Sequence, residues 1–351
     1  MRKVNSLNII RTIAIYMVLI MHSTEALYDS IGYSQEINNH KIFLLFYTVG
    51  RMGVPLFLLL TGYLMLNREN NFYRVNGKNN FYQKYLFPLL IKSQLGILLL
   101  IMFDYYRGAP VDLLVNIKQL FFLHQLPGIQ TWYIPVILGV YLFIPIIAIG
   151  IKNYSNKILF LLILPIFVYY CLILDVNQIM MYNGLPTFNS QANFDFIGYY
   201  GIYILLGALI KRNFVKEVPR LILNSVFLIS FMILIWIQIK SYEIGNNYRI
   251  WYNDGLLLLI TVPLFASLER IKTDFGRDVF EVFSKASFGV FWIHSILQVI
   301  IRNYLLDSVP FVLNVLFLST VNLIISTMIV SVYFKFKSKI SIFNLKLSID
   351  D

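Results

Sequence analysis

Ten apolar stretches divide this chain, at 6–24, 42–66, 84–106, 131–151, 157–175, 196–211, 220–240, 252–269, 281–304 and 309–334. Each is near the 17–25 residues that an α-helix needs to cross a bilayer. The sixth and eighth are short between their flanking charges. With 58% hydrophobic and only 13% charged residues over 351 positions, the chain is far too apolar for a soluble protein of its size. The expectation is an all-α polytopic membrane bundle of about ten transmembrane helices. No loop is long enough for a separate globular domain, so residues 1–351 read as one transmembrane domain. No internal repeat suggests two inverted halves.

The net charge of +11 invites a nucleic-acid reading, but in so hydrophobic a chain the positive-inside rule accounts for it better. Of the 29 Lys and Arg residues, Arg11, Arg51 and Lys92 are counted within spans, and those near a span end are counted with the segment beside it. With the N-terminus inside, only Lys41, Arg107, Lys118, Lys240, Arg249 and Arg302 fall outside. The remaining twenty, among them Arg2, Lys3, Arg74 and Lys78, fall on the inner side. That asymmetry places both termini in the cytoplasm. The N-terminal MRKVNSLNII resembles a signal peptide but has no small-residue cleavage site after its apolar run, so the first helix is read as retained. The single cysteine, Cys171, lies in an apolar run and reads as a buried, inert thiol. The outer segment around 176–195 is polar and Asn/Gln-rich, as a solvated connection or a hydrophilic mouth would be.

The first span holds the most informative polar pair. Arg11 and His22 are separated by ten residues in LNIIRTIAIYMVLIMH. Eleven steps of about 100° come within about 20° of whole turns, so both share a helix face, about 16 Å apart. Ionisable residues inside a membrane are costly and usually face the bundle interior, so each is a functional hypothesis. A histidine switches between proton acceptor and donor near neutral pH, which suits His22 to deprotonating a hydroxyl at the outer surface. Arg11, toward the cytoplasmic side, suits an anionic group entering from there. Each also has a plain structural reading, an interfacial histidine and an ion pair within the bundle. Asn8, Ala14 and Val18 continue the face with small side chains, leaving room beside the helix.

Further candidates lie on later spans. Arg51, in GRMGVPLFLLLTGYLML, sits near the level expected for His22 and can stabilise an oxyanion or anchor an interface. Gly50, Gly53, Pro55 and Gly62 in that segment allow close packing or a helix break. Lys84 and Lys92, two turns apart on the third span, can meet phosphates, and Asp104 is a possible partner for Arg51 or Arg107. His294, in ASFGVFWIHSILQ, falls at a depth close to His22, so the two can share a pocket. Trp132 and Tyr133 read first as an interfacial aromatic belt, and second as a platform for stacking a sugar. The chain has no GxSxG elbow, Walker A motif, HExxH or clustered metal ligands, which argues against an ATP-driven pump or a metalloprotease and implies no metal.

Six segments together resemble one family. NSLNIIRTIAIYMVLIMH is similar to the first helix of the acyltransferase 3 family, whose hallmark is an Arg, ten residues, then a His. GVPLFLLLTGYLML resembles the second-helix motif, with Thr61 and Gly62 as its hydroxyl–glycine pair. FYQKYLFPLLI, TWYIPVILGVYLFIPII, FIGYYGIYILLGALI and FGVFWIHSIL follow in the family's order. The resemblance covers essentially the whole chain and points to the branch that O-acetylates surface polysaccharides. It implies transfer of an acyl group from cytoplasmic acyl-CoA, acetyl-CoA by analogy, to a glycan or glycolipid hydroxyl outside a bacterial plasma membrane. It assigns catalysis to His22 and Arg11, and the residues themselves add Arg51 or His294 as the group stabilising the developing charge. The CoA diphosphate would rest on Arg11 with Lys84 or Lys92. Two positions depart from the family pattern. Asn8 stands where an Asp is common, and Phe87 stands where a second basic residue often follows Lys84. Two rival readings are a transporter or flippase for a glycolipid or small anion, moving substrate without CoA release, and a scaffold in which these charges merely pair.

Overall fold

The computed structural model describes residues 5–28, 37–68, 80–189, 198–246, 248–305 and 309–347. Arg2, Lys3, Arg74 and Lys78, and residues 190–195 of the polar outer segment, lie outside the described residues. Among the described residues all regular structure is helical. In chain order the helices are α1 (Asn5–Tyr28), α2 (Ile37–Arg51), α3 (Gly53–Met65), α4 (Phe87–Tyr106), α5 (Leu113–Leu120), α6 (Tyr133–Lys152) and α7 (Asn156–Ile166). They continue with α8 (Ile173–Tyr182), α9 (Gly198–Lys211), α10 (Arg220–Glu243), α11 (Gly255–Glu269), α12 (Arg277–Arg302) and α13 (Phe311–Leu347).

Eight stretches among the described residues are long and apolar enough to cross a membrane. The two short apolar runs of the sequence appear as the shorter helices α9 and α11. The protein is therefore a polytopic, all-α membrane protein. The chain divides into two compact units, one formed by Met1–Gly53 with Leu268–Asp351, the other by Val54–Ser267.

In the first unit α1 packs against α2, α12 and α13. Its cross-links fix their directions. Thr12 Oγ1 donates to the Phe280 carbonyl, the Gln298 amide to the His22 carbonyl, and Arg302 to the Ala26 carbonyl. Residue numbers rise together, so α1 and α12 run parallel. Helix α13 runs the other way, with Tyr16 bonded to Thr320 and Tyr28 edge-on to Phe311. Helix α2 is also antiparallel to α1 and approaches it through glycine. A Cβ on Gly50 would lie 2.6 Å from the Met21 Cα, and one on Gly53 would lie 2.7 Å from the Ala14 carbonyl oxygen and 2.9 Å from Val18 Cγ2. The face of Ala14 and Val18 is thus not open, because the backbone at Gly53 fills it. The glycine-rich second span breaks at Met52, between α2 and α3.

In the second unit α3 and α9 approach each other closely at glycine. A Cβ on Gly62 would lie 1.9 Å from the Ile204 carbonyl oxygen, and one on Gly207 would lie 2.1 Å from that of Leu59. Without a hydrophobic force between helices in lipid, this small-residue contact lets backbones meet and gain dispersion. At the basic ends of these helices Arg212 donates to the carbonyls of Ile151 and Tyr154 and to Asn67 Oδ1. A guanidinium is well placed there, since the last carbonyls of a helix have no intrahelical partner. Two π turns, Tyr82–Leu86 and Phe167–Leu172, adjoin Pro88 and Pro165. Proline lacks the N–H that an α-turn requires, and a widened turn absorbs the mismatch. The outward faces of α4, α7 and α10 expose large apolar side chains such as Leu95, Leu161 and Met232, as lipid contact requires.

Candidate active site

The first unit gathers four of the six candidate residues. Helix α1 carries Arg11 and His22, α2 ends on Arg51, and α12 carries His294. A polar group buried in an apolar bundle is costly unless it finds a partner, so the contacts these four side chains make are informative.

The His22 and His294 rings lie 5.3 Å apart between centroids, tilted by 31°. His294 is fully buried, and its Nδ1 lies 3.1 Å from the Val290 carbonyl oxygen. A carbonyl can only accept, so Nδ1 bears the proton and the lone pair of the neutral ring is at Nε2. That Nε2 is buried and has no hydrogen-bond partner among the described residues. The backbone of His294 is pinned by Asn322, which donates to its carbonyl at 2.8 Å and receives Ser326 Oγ at 3.0 Å.

His22 turns Nδ1 toward Glu25 Oε2 at 3.5 Å, and Glu25 Oε1 lies 3.9 Å from Arg51 Nη2. Arg51 is held in turn by Tyr47, donating to its hydroxyl at 2.5 Å with the guanidinium 4.7 Å from the ring centroid. A carboxylate at Nδ1 orients an imidazole and leaves Nε2 to take a proton, as in nucleophile–base–orienter arrangements. The same carboxylate keeps Arg51 from standing as an uncompensated cation. The cluster is thus two imidazoles with their Nδ1 sides engaged, beside a bridged carboxylate–guanidinium pair.

Arg11 lies three turns before His22 on α1 and donates to Ser284 Oγ of α12 at 3.1 Å. Lys84 and Lys92 belong to the second unit. Both are exposed, Lys84 in the π turn over the Tyr85 ring and Lys92 between exposed Ile91 and Leu95 on α4. The carboxylate that meets Arg51 is Glu25, where the sequence had offered Asp104. Glu25, Tyr47, Gln298 and Asn322 escaped sequence reasoning. The signal was present for three of them: Glu25 is three residues after His22, Tyr47 four before Arg51, and Gln298 four after His294, all same-face spacings. Asn322 had no such cue. No group of three or more metal-ligating side chains gathers among the described residues.

These features define a class: a multi-pass helical membrane protein with a paired-histidine centre built on its first and twelfth helices. The family model described as an acyltransferase domain matches residues 4–335, nearly the whole chain, and the chain belongs to the acyltransferase 3 family. It is a membrane acyltransferase. No curated protein and no solved structure gives a significant match.

Proposed function

We propose that this protein is an O-acetyltransferase of a bacterial plasma membrane, moving acetyl from cytoplasmic acetyl-CoA to a hydroxyl of a surface or lipid-linked polysaccharide. The observation that supports this reading is the His22–His294 pair with Glu25 behind His22. His22 Nε2 takes the acceptor's hydroxyl proton while the hydroxyl oxygen attacks the thioester carbonyl carbon. The C–O bond forms, the C–S bond breaks, and CoA leaves as a thiolate that recovers the proton. Arg51 stabilises the charge that develops on the carbonyl oxygen. Arg11, on the same face of α1, is the cation offered to the donor's phosphates.

The test is CoA release by purified protein in nanodiscs with acetyl-CoA and a panel of surface glycans. Glycan-dependent release, lost in His22→Ala at unchanged expression and monodispersity, is expected. Glycan movement across the bilayer without CoA release would overturn the reading in favour of transport.

A further inference from the structure

Outside the histidine site, the second unit assembles five aromatic rings from three distant segments. Trp132 precedes α6, Tyr199 and Tyr200 open α9, and Trp251 and Tyr252 precede α11. Trp132 lies 5.5 Å from Trp251, 5.2 Å from Tyr252 and 6.2 Å from Tyr200, the last stacked at 26°. Tyr199 and Tyr200 are 4.2 Å apart. Rings of an interfacial belt anchor their own helices separately at headgroup level. These instead converge on one another, and only Tyr252 is buried: Trp251 is 38% exposed, and Trp132, Tyr199 and Tyr200 are half-buried.

Polar bonds hold the faces in place. Trp251 Nε1 donates to the Tyr199 hydroxyl at 3.1 Å, and that hydroxyl donates to Tyr200 at 3.2 Å. Asp254 pins the segment before α11, accepting from the Trp251 backbone N–H at 2.8 Å and from the Tyr248 hydroxyl. Burial, and then the Asp254 charge, push the Tyr248 phenol upward, so it remains a donor. Helices α6, α9 and α11 all begin at this cluster, and their other ends carry Lys152, Lys211 and Arg270. By the positive-inside rule the rings therefore face outward.

We propose that this cluster is the docking surface for a pyranose ring of the acceptor glycan, a reading that rests on the O-acetyltransferase assignment above. Aromatic faces carry the negative side of a quadrupole and attract the polarised C–H edges of a sugar. Tyr and Trp present rigid, amphipathic area at small entropy cost, and their hydroxyl and indole groups bond to sugar hydroxyls. Asp254 is a positioning residue for this surface.

The experiment measures binding of soluble hexasaccharides of glucose, galactose, rhamnose and N-acetylglucosamine to the full-length protein in nanodiscs by calorimetry, together with CoA release from acetyl-CoA. For the best hexasaccharide, Trp251→Ala should weaken binding at least tenfold, Trp251→Phe less than threefold, and the affinity for acetyl-CoA should stay within twofold. Where transfer is measurable, the loss should appear in KM for the glycan. Binding that survives Trp251→Ala within twofold, or no binding by wild type at millimolar sugar, overturns the proposal. Sugar binding lost in Trp251→Ala, with no CoA release from wild type on any glycan, upholds the surface while removing the O-acetyltransferase reading.

Discussion

Gly50→Ala tests whether the spacing of α1 and α2 sets the candidate centre. The added Cβ would fall 2.6 Å from the Met21 Cα and 2.7 Å from its nitrogen, whereas ordinary contact begins at 3.4 Å. Those atoms are backbone and cannot rotate away, so α2 must retreat by about 0.8 Å, worked from these two distances. Met21 precedes His22 and Gly50 precedes Arg51, so the retreat acts directly on the Glu25 bridge. That bridge is already at 3.5 and 3.9 Å and has no slack. Overpacking costs about 1–3 kcal/mol, and the better helix propensity of Ala returns at most about 1 kcal/mol. The protein should therefore fold. Displacements near 1 Å at a reacting centre cost up to about 100-fold in rate, so acyl transfer should fall between about 10- and 100-fold. Initial rates of CoA release in nanodiscs, on protein monodisperse by size exclusion, measure it. Gly150→Ala on α6, whose Cβ meets nothing within 4 Å, is the control and should keep its rate. A Gly50→Ala enzyme within twofold of wild type would refute the coupling of helix spacing to the centre.

Glu25→Gln keeps the shape but removes the charge shared by His22 and Arg51. Hydrogen bonds to charged groups contribute about 1.5–3 kcal/mol, so kcat should drop about 10- to 100-fold with KM for acetyl-CoA unchanged; an unchanged kcat would remove Glu25 from the mechanism. Gly207→Val puts a branched side chain where even a Cβ would be 2.1 Å from the Leu59 carbonyl oxygen. It should abolish monodisperse protein after detergent extraction, and a normal yield with a wild-type melting curve would contradict the α3–α9 contact.

Much of the fold follows from composition and periodicity. Runs such as 220–240 and 309–334 were legible as spans because hydrocarbon accepts only backbone that satisfies its own hydrogen bonds, which makes length and hydropathy sufficient. Helices α9 and α11 were legible as short for the same reason. On α1, the shared face of Arg11 and His22 follows from helical pitch alone. The relation between His22 and His294 does not. They are 272 positions apart, and only the parallel packing of α12 on α1 brings their rings to 5.3 Å. Glu25 could have been read from its i+3 spacing, but its bridge to Arg51 depends on how closely Gly50 lets α2 approach. Asn322 was invisible because it acts across helices, from an antiparallel α13. Sequence by itself determined which segments are apolar and helical and which residue types lie on each helix face, since those depend on local periodicity and solvation. Tertiary structure alone decided which faces meet, because the register of one apolar helix against another is set by the shapes of side chains far apart in the chain.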